Sequence, residues 1–586
     1  MRQWMVAAKK ADFYAIAEKF HVDPVVARII RNREVIGEKN IRIYLGGNLS
    51  DLSDPHQMKD MDRLVEILAQ KIRKQVHIRI IGDYDVDGVT SSHLFLTALR
   101  RVGAKVDVVI PHRIQDGYGL SLHLLQQAKE DGVDTILTCD NGIAAIDEIA
   151  WAKAQKMTVL VTDHHAVPFE EHEGRRTEKK SLADAVVNPH QQDCGYPYKE
   201  LCGAGVAWNV IRVLYENYDM DKREAEDLLD FVAMATVCDV MSLTGENRIL
   251  VKEGLKRIRH TKNIGLQALM QACNVQPENI SAYHFGYVLG PCVNATGRLD
   301  TARHALRLFE TGQETEAEEI ARDLVDLNQE RKELTLQGVE MAKKLCEEGG
   351  YENDPVLVLF LPDVHESIAG LIAGRIREMY NRPVFVLTRG EEGVKGSGRS
   401  TENYSMYENM CGCAELFTKF GGHPMAAGLS LPEENVEKFR RKINENCPLT
   451  VEEVCPDIHI DMAMPVGYAS TELVHQFALL EPFGKDNPSP LFADRNLSIS
   501  RMWVIGKNRN VLRMSVLSEY GQPVPVIFFG DVETLFAYFT ETFGQEEVEN
   551  ALHGRKNRIL FSMVYTAKID FYQGNENLQL EMKYYR

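Results

Sequence analysis

The chain predicts an α/β protein of several domains: a parallel sheet covered by helices, a second α/β domain reached through a long helix, and a C-terminal barrel of short strands. From about residue 60 to 260, apolar strand-like runs alternate with helical stretches, as in a parallel sheet covered on both faces. Glu316 to Cys346 keeps Ile320, Leu324, Leu327, Leu334, Met341 and Leu345 on one stripe and stops at Gly349-Gly350, which predicts a single connecting helix. After Pro448 the chain changes to short strands, and a run of about five suits an OB-type barrel.

Residues 1–55 carry helical patterning, end at Leu52-Ser53-Asp54-Pro55, and are expected to cap the next domain. In 56–260 the predicted strands are Val76 to Ile81, Lys105 to Ile110, Thr135 to Cys139, Val159 to Thr162 and Ala185 to Val187. Helices are predicted through His93 to Val102 and near Ala144 to Gln155. A helical connector fills 261–350. The second α/β domain, 351–454, opens with Val356 to Phe360, continues through the Gly-containing helix Ile368 to Met379, and returns in Pro383 to Leu387. The barrel, 455–586, is predicted from Ile458-His459-Ile460, Met502 to Ile505, Val511 to Val516, Val524 to Phe529 and Arg558 to Tyr565. No internal repeat is present, and Arg175 to Lys180 is expected to be a charged surface loop.

At 586 residues the chain is too long for one core and predicts three or four domains. With 44% hydrophobic and 26% charged residues and no apolar run near eighteen, it is expected to be soluble, with no membrane partner. The start, soon followed by Lys9, Lys10 and Asp12, offers no secretory apolar region. Eleven cysteines at irregular spacings, with Cys411-Gly412-Cys413 lacking zinc-site spacing, are expected to be reduced thiols of a cytoplasmic protein. The formal charge of −18 weighs at first sight against a nucleic-acid partner, because phosphate binding depends on Lys and Arg. Part of that charge belongs to a candidate metal site, however, and a binding groove needs only a local basic stripe.

That site begins at Asp83-Tyr84-Asp85-Val86-Asp87-Gly88, where alternation at a strand end points three carboxylates to one side. The spacing also opens a calcium loop, but Leu94 stands where an EF-hand needs its closing Glu. Three further clusters each end an apolar run: Asp140-Asn141, Asp163-His164-His165 and Val237-Cys238-Asp239. Strand ends of a parallel sheet face one crevice, so such residues converge there. Carboxylates with imidazole form a hard oxygen and nitrogen site that suits Mn²⁺ or Mg²⁺. So many acidic ligands predict two ions about 3.5 to 4 Å apart, the arrangement of a phosphoryl displacement.

Asp-x-Asp-x-Asp-Gly, Asp-Asn-Gly, Asp-His-His and a later Asp, in this order, resemble the DHH phosphoesterases. Asp83 to Gly88, Asp116-Gly117-Tyr118-Gly119-Leu120, Asn294 to Leu299, Gly421 to Gly428 and Glu481-Pro482-Phe483-Gly484 resemble more closely the RecJ-type single-strand exonucleases of that family. The likeness covers nearly the whole chain. It implies a DHH-type parallel-sheet domain, a DHH-associated domain and an OB-like barrel. It also implies Asp85, Asp87, Asp140, His164 and Asp239 as metal ligands, with Asp83 in or beside the set. Asp163 and His165 flank a ligand and are expected to orient it, or His165 to touch the scissile phosphate.

Arg298, and Ser397 with Arg399, are placed by their glycines in turns where backbone and guanidinium grip a phosphate. The resemblance makes these the residues that hold the strand beside the metals, and it sets His423 in the cleft. Arg375 is a weaker candidate, since a helical Arg commonly snorkels to solvent. Trp503, Lys507, Arg509, Arg513, Phe528 and Phe529 mix cations with aromatics, as a stacking surface for bases would, or else divide between barrel core and solvated turn.

The expected activity is therefore metal-dependent hydrolysis of single-stranded DNA, from 5′ to 3′ as the resemblance implies, in repair and recombination. Single-stranded DNA is the expected partner, with a helicase and a single-strand binding protein as further candidates, and a monomer is expected. The alternatives are a DHH phosphoesterase acting on oligoribonucleotides or nucleotide phosphates, and a non-catalytic nucleic-acid scaffold.

Overall fold

A computed structural model describes residues 3–586 apart from Ile114, Gln115, Gly117, Tyr118, Glu173, Gly174, Glu352, Glu391, Glu392, Pro456, Lys507, Asn508, Arg509 and Gln573. The apolar runs of the first α/β region become β1 (Ile78–Ile81), β2 (Val106–Val109), β3 (Thr135–Cys139), β4 (Thr158–Thr162) and β5 (Ala185–Val187), each within two residues of its expected bounds. They pair in the order β2-β1-β3-β4-β5, all parallel. Successive residues alternate between two apolar layers: Ile80, Leu137 and Leu160 join one core, while Ile81, Ile136, Val159 and Val161 join the other. Helix α1 (Val86–Arg101) starts earlier than expected, within the aspartate motif, directly after Asp85. Helices α2 (Gly203–Asn217), α3 (Leu229–Cys238) and α4 (Gly290–Leu299) follow. Arg175 to Lys180 is not a plain loop, because Arg175–Glu178 pairs with Phe169–His172 in a hairpin.

The predicted connecting helix is α5 (Glu314–Glu348), 35 residues long. Ile320 and Leu324 enter the core of the first domain, whereas Val339, Ala342 and Cys346 enter the core of the second. Met341, expected on the buried stripe, is exposed. The second domain contains β6 (Leu357–Phe360), α6 (Glu366–Tyr380), β7 (Val384–Gly390), β8 (Gly393–Arg399), β9 (Lys419–His423) and β10 (Ala426–Leu431), in the sheet order β9-β10-β8-β7-β6. Gly396 to Arg399, expected in a turn, thus lies in a strand. Its glycines face neighbours too close for a side chain: a Cβ on Gly396 would stand 2.4 Å from Leu387 Cδ2, and one on Gly398 would stand 2.3 Å from Met406 Sδ.

Asn48–Pro456 forms one compact unit, and Gln3–Gly47 with Asp457–Arg586 forms another. The second unit contains β11 (Phe492–Ile505), β12 (Val511–Leu517), β13 (Pro523–Phe528), β14 (Leu560–Tyr572) and β15 (Asn575–Tyr585). Neighbours run β11-β12-β13-β15-β14, and β14 pairs back onto β11, so five strands close on themselves. The expected strand Ile458–Ile460 pairs with Trp4–Val6 instead of joining the ring. The N-terminal segment, expected as a cap on the following domain, belongs through residue 47 to the barrel's unit. Its helices turn Val25, Val26, Ile29, Ile30 and Ile41 into one core with Met464, Leu480, Phe492 and other barrel residues. Arg33 seals this packing with a buried fork to Asp461, at 2.7 and 3.0 Å.

This division predicts how fragments behave. Residues 48–456 should purify as a monodisperse species with a cooperative thermal transition. A fragment of residues 1–454 should bind a hydrophobic dye and self-associate on size-exclusion chromatography, because the N-terminal helices lose the surface that covers them.

Candidate metal centre

The three aspartates of the first motif are not aligned by strand alternation. Asp83 lies in the turn after β1, Asp85 is the N-cap of α1 with its side chain accepting from Gly88 N at 3.0 Å, and Asp87 is in the first helical turn. They divide accordingly. Asp83 and Asp85 come together with Asp140, while Asp87 comes together with His164 and Asp239. A third grouping, Asp140 with His164 and His165, joins the two. Within each group the potential ligand atoms all lie within 4.8 Å of one another.

Each member is aimed by its element. Asp87 accepts from Gly203 N at 2.6 Å and Ala204 N at 2.8 Å, the free donors at the start of α2, so a helix N-terminus faces its charge. Asp140 follows β3 with φ 61°, in the left-handed region. Only glycine fits beside it at position 203, where a Cβ would stand 2.6 Å from Asp140 Cβ. His164 Nε2 lies 3.1 Å from Asp140 Oδ1 and 3.6 Å from an oxygen of both Asp87 and Asp239. Asp239 comes from the C-cap of α3, a helix end where a strand end was expected. Asp163 belongs to none of the groups. Its carboxylate accepts from Ile143 N, His164 N, His165 N and His165 Nδ1 at 2.7 to 3.0 Å, so it positions the histidines.

The electrostatics call for cations. Burial, then the neighbouring carboxylates, raises Asp83, Asp85 and Asp140, the first and last well above the ordinary carboxylate range. Burial lowers His164 and keeps it neutral, the form that ligates metal. Burial also opposes the charge on His165, but its bond to Asp163 prevails and lifts it to about 9. One Asp83 oxygen and His164 Nε2 are buried without a hydrogen-bond partner among the described residues. A buried polar atom left so is costly, and a divalent ion satisfies both. Burial pushes the Cys139 thiol up to about 12 and raises Cys202 and Cys238, which keeps thiolates out and leaves a hard oxygen and nitrogen donor set.

Beside this centre lies an arginine cluster. Arg298 is in the last turn of α4 and Arg399 ends β8, so neither occupies the expected turn. Arg298 Nη1 donates to Ser367 O at 2.6 Å, and Arg399 Nη1 donates to Gly398 O at 2.8 Å. Burial, then Arg113, Arg331 and Arg399, lowers Arg298 to about 10, and burial lowers Arg399. Neither they nor Arg113 has a carboxylate partner among the described residues. Gly370 of α6 gives the cluster room, since a Cβ there would stand 2.9 Å from Arg399 Nη2 and 3.3 Å from Ser397 Oγ. Tyr84, between Asp83 and Asp85, carries Arg113 5.0 Å above its ring and links the cluster to the metal groups.

Other candidates divide. His423 is exposed at the end of β9, and no described contact joins it to the metal groups. Arg375 is an exposed surface residue beside Glu378 at 3.4 Å. In the barrel, Trp503 pairs across strands with Arg513 and lies under Arg501, and Phe529 is exposed. Phe528 is core, packed edge-on against Tyr585, and so leaves the stacking set. Lys507 and Arg509 lie outside the described residues, as do Gly117 and Tyr118. Arg113, Gly203 and Gly370 were not anticipated, nor was Asn294, whose Oδ1 accepts from Val86 N at 3.1 Å and fastens α4 to the start of α1. A signal for Arg113 existed in the motif just after it, where Asp116 accepts from His112 N at 2.8 Å and holds that loop.

Residues 77–236 match the DHH family N-terminal domain, 353–447 the DHHA1 domain and 460–584 the RecJ OB domain. The chain is 32% identical to the single-stranded-DNA-specific exonuclease RecJ of Haemophilus influenzae over 96% of both chains. It is 33% identical to the Bacillus subtilis protein of that name over 87% of this chain, a match that spans 63% of the relative's own length. The crystal structure of RecJ in complex with Mn²⁺ from Thermus thermophilus matches the whole chain and 79% of its own, with a TM-score of 0.81 and 25% identity.

A pH dependence follows from the raised carboxyls. Without metal, their contribution to stability is present below the unfolded range, about 4, and is lost as pH rises through their raised folded values. Metal binding must displace those protons, so affinity rises with pH. The gain in melting temperature on replacing EDTA with Mn²⁺ should be largest at neutral pH and shrink on acidification, as read by differential scanning fluorimetry.

Proposed function

The chain belongs to the RecJ family of DHH phosphoesterases, and on that premise we propose that it is a metal-dependent exonuclease hydrolysing single-stranded DNA from the 5′ end. The observation that carries this reading is the juxtaposition of two carboxylate-bearing groups, linked through Asp140 and His164, with half-buried arginines that pair with no carboxylate among the described residues. Asp83, Asp85 and Asp140 would hold one ion and Asp87, His164 and Asp239 the other, with His165 beside Asp140 and His164. Mn²⁺ or Mg²⁺ held there would supply Lewis-acid chemistry for a phosphoryl displacement.

The protein's own groups set up the reaction. Asp163 fixes Nδ1 of His165, so the imidazole presents its Nε2 edge to the scissile phosphate. Arg298, Ser397 and Arg399, with Arg113, hold a second phosphate in a fork of donors. That phosphate lies beside the metals and not on them. In an enzyme releasing one nucleotide at a time from the 5′ end, the phosphate next to the scissile one is the terminal phosphate. His423 bounds the cleft, and Trp503, Arg501 and Arg513 offer the barrel's stacking face.

An enzyme confined to single strands needs duplex opened ahead of it, which supports a helicase and a single-strand binding protein as partners. Each compact unit closes its own core within one chain, which supports a monomer. No helix among the described residues is long and apolar enough to cross a membrane. We place the enzyme in the cytoplasm with its DNA. The decisive assay is digestion of end-labelled single-stranded DNA, duplex DNA and RNA with Mn²⁺. Loss of the 5′ label as mononucleotide, from single-stranded DNA alone, is the expected result.

Asp140→Ala should cut turnover by at least about a thousandfold, the scale of losing charge stabilisation in the transition state, with an unchanged circular dichroism spectrum. Arg399→Ala should weaken strand binding and reduce its salt slope by about one counterion, measured by fluorescence anisotropy across a salt series.

A further inference from the structure

The cleft does not end at the arginine cluster. Strand β8 sets Arg399, Ser397 and Lys395 on one face at every second residue. Across the sheet, Ser397 faces Gly428 and Gly421, whereas Lys395 faces Ser430 and then Lys419, with Thr388 on its other side. The row Thr388, Lys395, Ser430, Lys419 therefore lies one strand repeat, about 7 Å, beyond Ser397. The two glycines beside Ser397 leave the floor of the inner row low. Both rows line a single cavity of ≈ 430 Å³, walled by Arg113, Tyr84 and the start of α6.

The chemistry of the outer row is that of an anion site. Thr388 is fully buried, yet its hydroxyl has no hydrogen-bond partner among the described residues. Lys395 Nζ lies 2.8 Å from Glu366 Oε2, and Lys419 has no carboxylate partner among the described residues. Arg113, Lys395 and Lys419 outweigh Glu366, so the cavity stays positive. A nucleobase there would leave the Lys419 ammonium and the two hydroxyls poorly paired, whereas phosphoryl oxygens pair with these and with the remaining donors of Lys395.

We propose that this cavity is a polyphosphate subsite, which lets the enzyme accept a strand whose 5′ end carries a di- or triphosphate. The inference rests on the arginine cluster holding the terminal phosphate of the strand, with the outer row taking the phosphoryl groups beyond it. The bond cleaved is unchanged. Water adds to the phosphorus of the first internucleotide linkage, the bond from phosphorus to the 3′ oxygen breaks, and that oxygen leaves with a proton. A 5′-triphosphate strand thus yields a nucleoside 5′-triphosphate and a strand one residue shorter that ends in a 5′-monophosphate.

The test uses the full-length protein with Mn²⁺ and one oligodeoxynucleotide bearing a 5′-hydroxyl, 5′-monophosphate or 5′-triphosphate, with first products resolved by chromatography. The wild type should release nucleoside triphosphate from the third substrate with kcat/KM within about tenfold of the monophosphate end. Lys419→Ala and Lys395→Gln should each lower kcat/KM for the triphosphate end by about tenfold, the scale of one charged hydrogen bond, and change the monophosphate end by less than about twofold. Lys419 is exposed, so its variant folds even where loss of the Glu366 partner perturbs the other. If the wild type cleaves the monophosphate end but refuses the triphosphate, or if the variants lower both ends alike, the polyphosphate subsite is wrong while terminal recognition stands. If all three ends react equally and Arg399→Ala changes none of them, the reading of the arginine cluster fails and takes the subsite with it.

Discussion

Crowding of carboxylates at one end of a parallel sheet is the constraint around which this molecule is arranged. Asp83, Asp87 and Asp140 are buried close together with the half-buried Asp85, and isolated ionised carboxylates are among the costliest groups to bury. The surrounding elements reduce that cost. Helix α2 begins at a glycine under Asp140 and turns its first amides on Asp87, α1 begins with Asp85 as its cap, and Asn294 ties α4 to the same helix start. What the backbone cannot offset is left for cations.

Much of this was legible because the underlying signals are local. The first sheet follows from apolar runs of strand length, and the clusters at their ends converge because parallel strands share a carboxyl edge. The division of the aspartates into two groups was not legible, since it depends on α1 starting at Val86 and on amides from a helix more than a hundred residues later. Gly396 to Arg399 misled for a different reason. Paired glycines signal a turn locally, yet here they make room for Leu387 and Met406 beneath a strand. The strand Asn575–Tyr585 was missed although Leu578, Leu580 and Met582 alternate inward, because its remaining residues are mostly polar. Nothing local indicates which core an amphipathic helix will join, so the partner of residues 13–46 could not be foreseen.

Helix α5 explains how the two sides of the cleft keep their spacing. It runs about 52 Å at 1.5 Å per residue, and its two halves are embedded in different cores. Displacing one domain against the other would strip apolar surface from one half. Arg298 adds a polar tie, since it rises from the metal-bearing domain and bonds the backbone of α6 in the other. The residue proposed to hold the strand's phosphate is thus also a brace between the walls.

The shared core of the two chain ends bears on how the protein is made. Asn32 bonds Asp461 across 429 residues, and the helices around it are covered by barrel residues synthesised long after them. At about 5 to 20 residues per second, the N-terminal helices wait roughly 20 to 80 s on the ribosome before their partners emerge. Throughout that interval Val25, Val26, Ile29 and Ile30 form an uncovered apolar face on a nascent chain whose central unit already has everything it needs to fold. That unit therefore completes only once the barrel strands have emerged, and its early segment is the part of the chain with most to gain from a chaperone.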